Sequence, residues 1–169
     1  MALLPILEYP DKRLRQKALP VESVTPDVQQ LVDDMAETMY AAPGVGLAAN
    51  QVGIALRIFV IDTANENEPS QFRAFINPEI LEREGELVWQ EGCLSFPGVS
   101  ENIERAARVR VRALDRDGNP FELEAEELLA VAIQHEYDHL DGNLMIDKLG
   151  PLKKRLVQRK LQKRTEARP

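Results

Sequence analysis

Val28, Leu31, Val32, Met35 and Met39 fall three and four residues apart. That spacing predicts an amphipathic helix with one apolar stripe. Thr25-Pro26-Asp27 opens it with a capping hydroxyl, a first-turn proline and an acid, and Pro43-Gly44 ends it. Gly44-Val45-Gly46 then reads as a glycine-rich loop, and Arg57 to Asp62 as a strand. Residues 64–71 are polar, carry Pro69 and predict an exposed loop. Residues 72–90 predict at least two short strands broken near Asn77-Pro78, and Arg108 to Ala113 alternates as a half-buried strand should. A turn over Asp115 to Pro120 leads into Phe121-Glu122-Leu123. A second helix is expected from about Ala125 to Asp141, stopped by Gly142-Asn143. It is apolar nearly all round from Leu128 to Ile133, which predicts burial. A last helix, about Pro151 to Thr165, is expected to turn Leu152, Leu156, Val157 and Leu161 inward. Strands in the middle and helices at both ends predict an α+β fold, with antiparallel sheets around the buried second helix.

The 169 residues suffice for one domain with a sizeable core, and the balance of 44% hydrophobic and 29% charged residues is that of a globular protein. One cysteine excludes an internal disulfide and fits a reducing cytoplasm. The N-terminus lacks the basic start and apolar stretch of a signal peptide, and no run reaches the length of a membrane span. The net charge of −7 is uneven. Residues 150–169 hold eight Lys or Arg and one acid, a net of +7, against 13 basic and 27 acidic residues elsewhere, a net of −14. The chain therefore divides into a body at 1–149 and a basic helix at 150–169. That helix is either a solvated surface element or a contact for a partner.

The chemistry concentrates in His135-Glu136-Tyr137-Asp138-His139, which holds both histidines of the chain. On a helix, positions i and i+4 share a face, so both imidazoles reach one metal ion. Glu136 lies about 100° round from His135, placed to act as a general base on water. Two histidines leave a catalytic metal one protein ligand short. Downstream, Asp141 is too near to swing back, Asp147 is a weak candidate and Glu166 lies in the charged tail. Upstream stands Cys93, with Gly92 beside it to allow close backbone approach. A thiolate with two imidazoles selects zinc or ferrous iron over magnesium or calcium, and the spacing does not separate those two. Leu128, Val131 and Ala132 continue the His135 face as an apolar wall, either core packing or a pocket for an apolar side chain. Residues 44–51 offer glycines and the Gln51 side-chain amide as donors to an oxyanion, and no lysine follows to make a phosphate loop.

Gly44-Val45-Gly46-Leu47-Ala48-Ala49-Asn50-Gln51, Glu91-Gly92-Cys93-Leu94-Ser95 and Gln134-His135-Glu136-Tyr137-Asp138-His139 resemble, in order and spacing, the three motifs of the bacterial peptide deformylases. The resemblance covers nearly the whole chain. It implies hydrolysis of the formyl group from N-formylmethionyl nascent peptides. It implies one ferrous ion on Cys93, His135 and His139, replaceable by zinc, nickel or cobalt. It gives Glu136 the acid/base role, and Gln51 with the Leu94 backbone N–H the oxyanion role. It implies peptide main-chain binding by Val45, Gly46 and Gly92, and a methionine pocket of Leu128, Val131 and Ala132. Glu91 and Arg105 resemble an ion pair supporting the ligands, and the basic C-terminal helix is similar to one with which relatives dock on the ribosome. No membrane or DNA contact is implied. Some relatives carry a basic residue touching substrate where this chain has Ser100, and a second cysteine where it has Ala132. Two other readings compete. A zinc endopeptidase would need a long cleft and a downstream third ligand. A metal-stabilised RNA- or ribosome-binding module would need a fourth protein ligand and would leave Glu136 without a purpose.

Overall fold

The computed structural model describes residues 2–65 and 67–166; residues 167–169 of the predicted basic extension lie outside the described residues. Helix α1 spans Pro26–Ala41, and the Thr25 hydroxyl accepts the Val28 N–H at its start, as the capping pattern requires. Its buried residues include Val32, Met35 and Met39.

Strands β1 (Gly46–Ala48), β2 (Ile58–Ile61), β3 (Arg73–Glu84), β6 (Arg108–Leu114) and β7 (Pro120–Glu126) form an antiparallel sheet in the order β1-β2-β3-β6-β7. Helix α2 spans Glu127–Leu140 and covers one face, packing Ala130, Ile133 and Leu140 on Phe59, Ile61, Phe75 and Val111. Helix α1 covers the other face at Ile58, Val60, Ala74 and Ile76. Neighbours along β2 thus enter different cores, which explains a strand apolar at every position.

Strands β4 (Leu87–Cys93) and β5 (Phe96–Arg105) form a separate hairpin, turning at Leu94-Ser95. Helix α3 (Pro151–Glu166) packs behind it, burying Val157 and Leu161 with Phe96, Val99 and Ile103. Among the described residues no helix is long and apolar enough to cross a membrane.

The expected α+β architecture with antiparallel sheets and flanking helices is present. Several details differ. Gly46 belongs to an edge strand rather than a loop, because its stretch pairs with Phe59–Ile61. The two strands expected over residues 72–90 are β3 and the start of β4, but the break falls at residues 85–86 and not near Asn77-Pro78, so residues 73–84 form one bent strand. Asn77 takes a positive φ of 51° at the bend, and its side-chain amide exchanges two 2.8 Å hydrogen bonds with the Val21 backbone. Helix α2 starts two residues later than expected, since Ala125 still pairs with Val109 in the sheet. In α3, Leu152 and Leu156 are 70% and 54% exposed, not inward. Nine residues at about 100° each put Leu152 and Leu161 on opposite faces, and the core takes Leu161.

Candidate metal centre and cleft

Two elements bring the three candidate ligands together. Helix α2 presents His135 and His139 one turn apart, with ring centroids separated by 5.0 Å. The end of β4 supplies Cys93, where the register shifts between Gly92 and Cys93 and turns the chain into the hairpin tip. Cys93, His135 and His139 offer ligand atoms that all lie within 4.8 Å of one another, and Cys93 Sγ is 3.4 Å from His139 Nε2. Asp147, the weak downstream candidate, is bound to Arg15 at 2.5 Å instead.

His135 Nδ1 lies 2.9 Å from Glu91 Oε1. With the proton on that nitrogen, the other keeps its lone pair for a metal. Glu91 is fixed in turn by Arg105, whose Nε and Nη2 donate to its two oxygens at 2.8 and 2.9 Å. The third guanidinium nitrogen donates to Asp138 at 2.6 Å, tying the hairpin to α2. Burial would raise the Glu91 carboxyl, but the hydrogen bonds from Arg105 and His135 hold it below the ordinary value. Burial likewise opposes a proton on His135, yet Cys93, Glu136 and Glu91 hold its pKa well above that of a free histidine. His139 is pushed well below by burial and by the neighbouring positive groups. Surroundings that favour a positive charge, a neutral His139 and an S,N,N donor set fit a divalent ion of borderline softness.

Glu136 is 4% exposed, and its Oε1 has no hydrogen-bond partner among the described residues. Burial pushes its pKa up to about 7. Gly46 lies directly against it: a Cβ there would come within 2.6 Å of Glu136 Oε2. Only glycine lets the edge strand approach the carboxyl so closely.

A cavity of about 410 Å³ opens beside the ligands. Its walls include every pocket and main-chain residue expected from the sequence: Val45, Gly46, Gly92, Leu128, Val131 and Ala132. Gln51, Cys93, Leu94, His135 and Glu136 reach it too. Val131 and Ala132 are 3% and 7% exposed, so the wall is apolar and largely dry. Ser100 is exposed on β5 and does not line the cavity.

Four residues of this site had no role assigned from the sequence, although Asp138, Gln134 and Ser95 lie within its motifs. Trp89 joins the cavity wall from β4. Asp138 holds Arg105, and its place three residues after His135 was the available signal. Gln134 bonds the Ala106 N–H and carbonyl at 3.0 and 2.9 Å, fixing α2 against the turn after β5. Ser95 meets the Gln51 amide at 3.0 Å.

The polypeptide deformylase family model matches residues 3–155. The chain is 57% identical over 163 residues to a peptide deformylase of Alkalilimnicola ehrlichii, covering 96% of this chain and 91% of that one. It is 58% identical over 166 residues to one from Xylella fastidiosa, covering 96% of each. Among solved structures, a peptide deformylase from Legionella pneumophila superposes with a TM-score of 0.91 at 45% identity, covering 99% of this chain and 100% of that one. One from Ehrlichia chaffeensis gives 0.93 at 37% identity, with 98% of each chain covered.

Proposed function

The chain belongs to the polypeptide deformylase family, and on that premise we propose which of its residues carry out the metal-dependent hydrolysis of the formyl amide of N-formylmethionyl nascent peptides. The observation that carries the reading is the convergence of Cys93, His135 and His139 beside a buried carboxyl with an unpaired oxygen.

Cys93, His135 and His139 hold one divalent ion, natively ferrous iron, which zinc, nickel or cobalt can replace. When bound, such an ion lowers the pKa of water and polarises a carbonyl. Glu136 takes the proton from the attacking water and passes it to the departing amine nitrogen. Gln51 Nε2 and the Leu94 backbone N–H donate to the formyl oxygen as water adds to its carbon and the oxygen becomes negative. Leu128, Val131 and Ala132 receive the methionine side chain. The main chain of Val45, Gly46 and Gly92 holds the peptide extended along the edge of β1, a strand paired on one side only. Glu91 and Arg105 keep His135 in its ligating orientation.

The basic residues of α3 contact ribosomal RNA and hold the enzyme near emerging chains, with residues 1–149 as the catalytic domain. Leu152 and Leu156 stand exposed on that helix and add an apolar strip to the charge. Substrate source and reduced thiol both suit the cytoplasm.

Formate release from formyl-Met-Ala-Ser, measured on protein purified without oxygen and analysed for metal, tests the reaction. Cleavage of unformylated peptides instead would support an endopeptidase. Metal binding without hydrolysis would support a binding module. Ribosome co-sedimentation at low and high salt tests docking: salt-sensitive pelleting that disappears when Lys153, Lys154 and Arg155 become Glu is expected.

A further inference from the structure

The Gln51 side chain ends in a carboxamide whose last torsion is broad and roughly two-fold. Nothing intrinsic aims its N–H group rather than its oxygen at the cleft. In this fold both ends are held. Gln51 Oε1 accepts the Ala48 backbone N–H at 2.9 Å, which sets which end is oxygen. Gln51 Nε2 donates to Ser95 Oγ at 3.0 Å and, more weakly, to Cys93 Sγ at 3.6 Å, the side from which the oxyanion would draw that second N–H. Ser95 is 0% exposed and Gln51 1%, so water does not compete for these bonds. An amide nitrogen carries two hydrogens about 120° apart in one plane. Once one is committed to Ser95, the other has a single direction, toward Cys93 and the cleft that both residues line.

The hydroxyl is itself well anchored. Ser95 lies in the two-residue turn between Cys93 and Phe96, and its carbonyl accepts the Tyr9 N–H at 2.8 Å. One tight turn therefore carries the metal-ligating thiol, the Leu94 N–H and the hydroxyl that orients the second oxyanion donor.

We propose that Ser95 is a positioning residue: its hydroxyl fixes the rotation of the Gln51 carboxamide and thereby presets a donor for the oxyanion. This rests on the deformylase reading of the cleft, in which Gln51 is such a donor. Ser95 touches no reacting atom. Its removal leaves the Ala48 bond in place, so the amide loosens rather than leaves. Loss of one net hydrogen bond of this kind lowers kcat about 3- to 10-fold, well short of the roughly 10²–10³ for losing a donor outright.

The experiment is a double-mutant cycle on metal-loaded enzyme with formyl-Met-Ala-Ser. Variants are Ser95→Ala, Gln51→Leu and both together, each checked for metal content and melting temperature. Ser95→Ala is expected to lower kcat with KM nearly unchanged, and to have no further effect in the Gln51→Leu background. Ser95→Thr, which keeps the acceptor, is expected to recover part of the loss. Equal losses from Ser95→Ala with and without Gln51 would show action through the fold, and would overturn the proposal. If Gln51→Leu is slow but Ser95→Ala is not, the positioning role fails alone. If Gln51→Leu keeps full kcat, the oxyanion reading itself fails.

Discussion

Glu91→Gln is nearly isosteric yet removes the charge on which three groups converge. In the native arrangement the carboxylate faces two Arg105 nitrogens at 2.8 and 2.9 Å and His135 Nδ1 at 2.9 Å. Side-chain exposure is 3% for Arg105 and 4% for Glu91, so solvent does not screen the pair. An amide can accept from only one side; its NH₂ then points at another donor. Breaking a buried ion pair by removing one partner typically costs about 3–5 kcal/mol. Asp138 still neutralises part of the guanidinium at 2.6 Å, so the lower end, about 3 kcal/mol, is expected. His135 also loses the carboxylate that orients its ring, and partners of that kind are worth about 10–100-fold in metal affinity. Urea unfolding of chelator-treated protein gives the first quantity, and competition with a metal-binding dye gives the second. An unfolding midpoint and a metal affinity both equal to wild type would refute the assignment of Glu91 and Arg105 as the support of the ligand set.

Glu136→Ala is expected to keep near-normal metal content while kcat falls by about 10²–10⁴, the range for a lost acid/base; parallel loss of metal would make Glu136 a ligand. Val131→Phe fills the apolar wall, so kcat/KM for formyl-Met-Ala-Ser relative to formyl-Ala-Ala-Ser should fall by about 10-fold or more. An unchanged ratio would place the side-chain pocket elsewhere. Leu161→Ala, at a site 1% exposed, should cost about 2–5 kcal/mol. Leu152→Ala, on the opposite face, should stay within about 0.5 kcal/mol; equal losses in urea melts would contradict the phase of α3. Burial would raise the Asp147 carboxyl, but its bonds to Arg15 and the Leu144 N–H hold it below the ordinary value. A depressed folded pKa contributes stability above the unfolded pKa of about 4 and loses it as pH falls through the folded value. Asp147→Asn should therefore be destabilised at pH 7, with the gap to wild type narrowing below about pH 4. A gap independent of pH would mean that the Asp147 charge contributes nothing.

Residues whose roles depend on periodicity were legible in the sequence. His135 and His139 share a helix face at any helix position, and Val32, Met35 and Met39 mark a stripe wherever the helix docks. Strand β5 was not legible, because Pro97 and Gly98 punctuate it and Ser100, Glu101 and Asn102 are polar. Its pairing with β4 and the burial of Phe96, Val99 and Ile103 against α3 keep it extended. Asn77-Pro78 reads locally as a stop, and the long-range bonds to Val21 make it a bend. Ser95 illustrates the same limit within the site. A serine two places after a cysteine belongs to the motif yet shows no partner until the fold brings the Gln51 amide to it across 44 residues of chain.

The ligand set straddles a seam. Cys93 stands at the tip of a hairpin that shares no strand pairing with the five-stranded sheet, while both histidines ride on the helix laid across that sheet. An ion held there would brace the hairpin tip to the helix, beside the tie that Arg105 already makes to Asp138. Retention of the ion would then report whether hairpin and helix have come together, and a chain with either displaced would release it. Because ligand binding to the folded state adds to folding free energy, metal loading should slow hydrogen exchange most along β4 and β5, which pair with each other in a sheet of two strands.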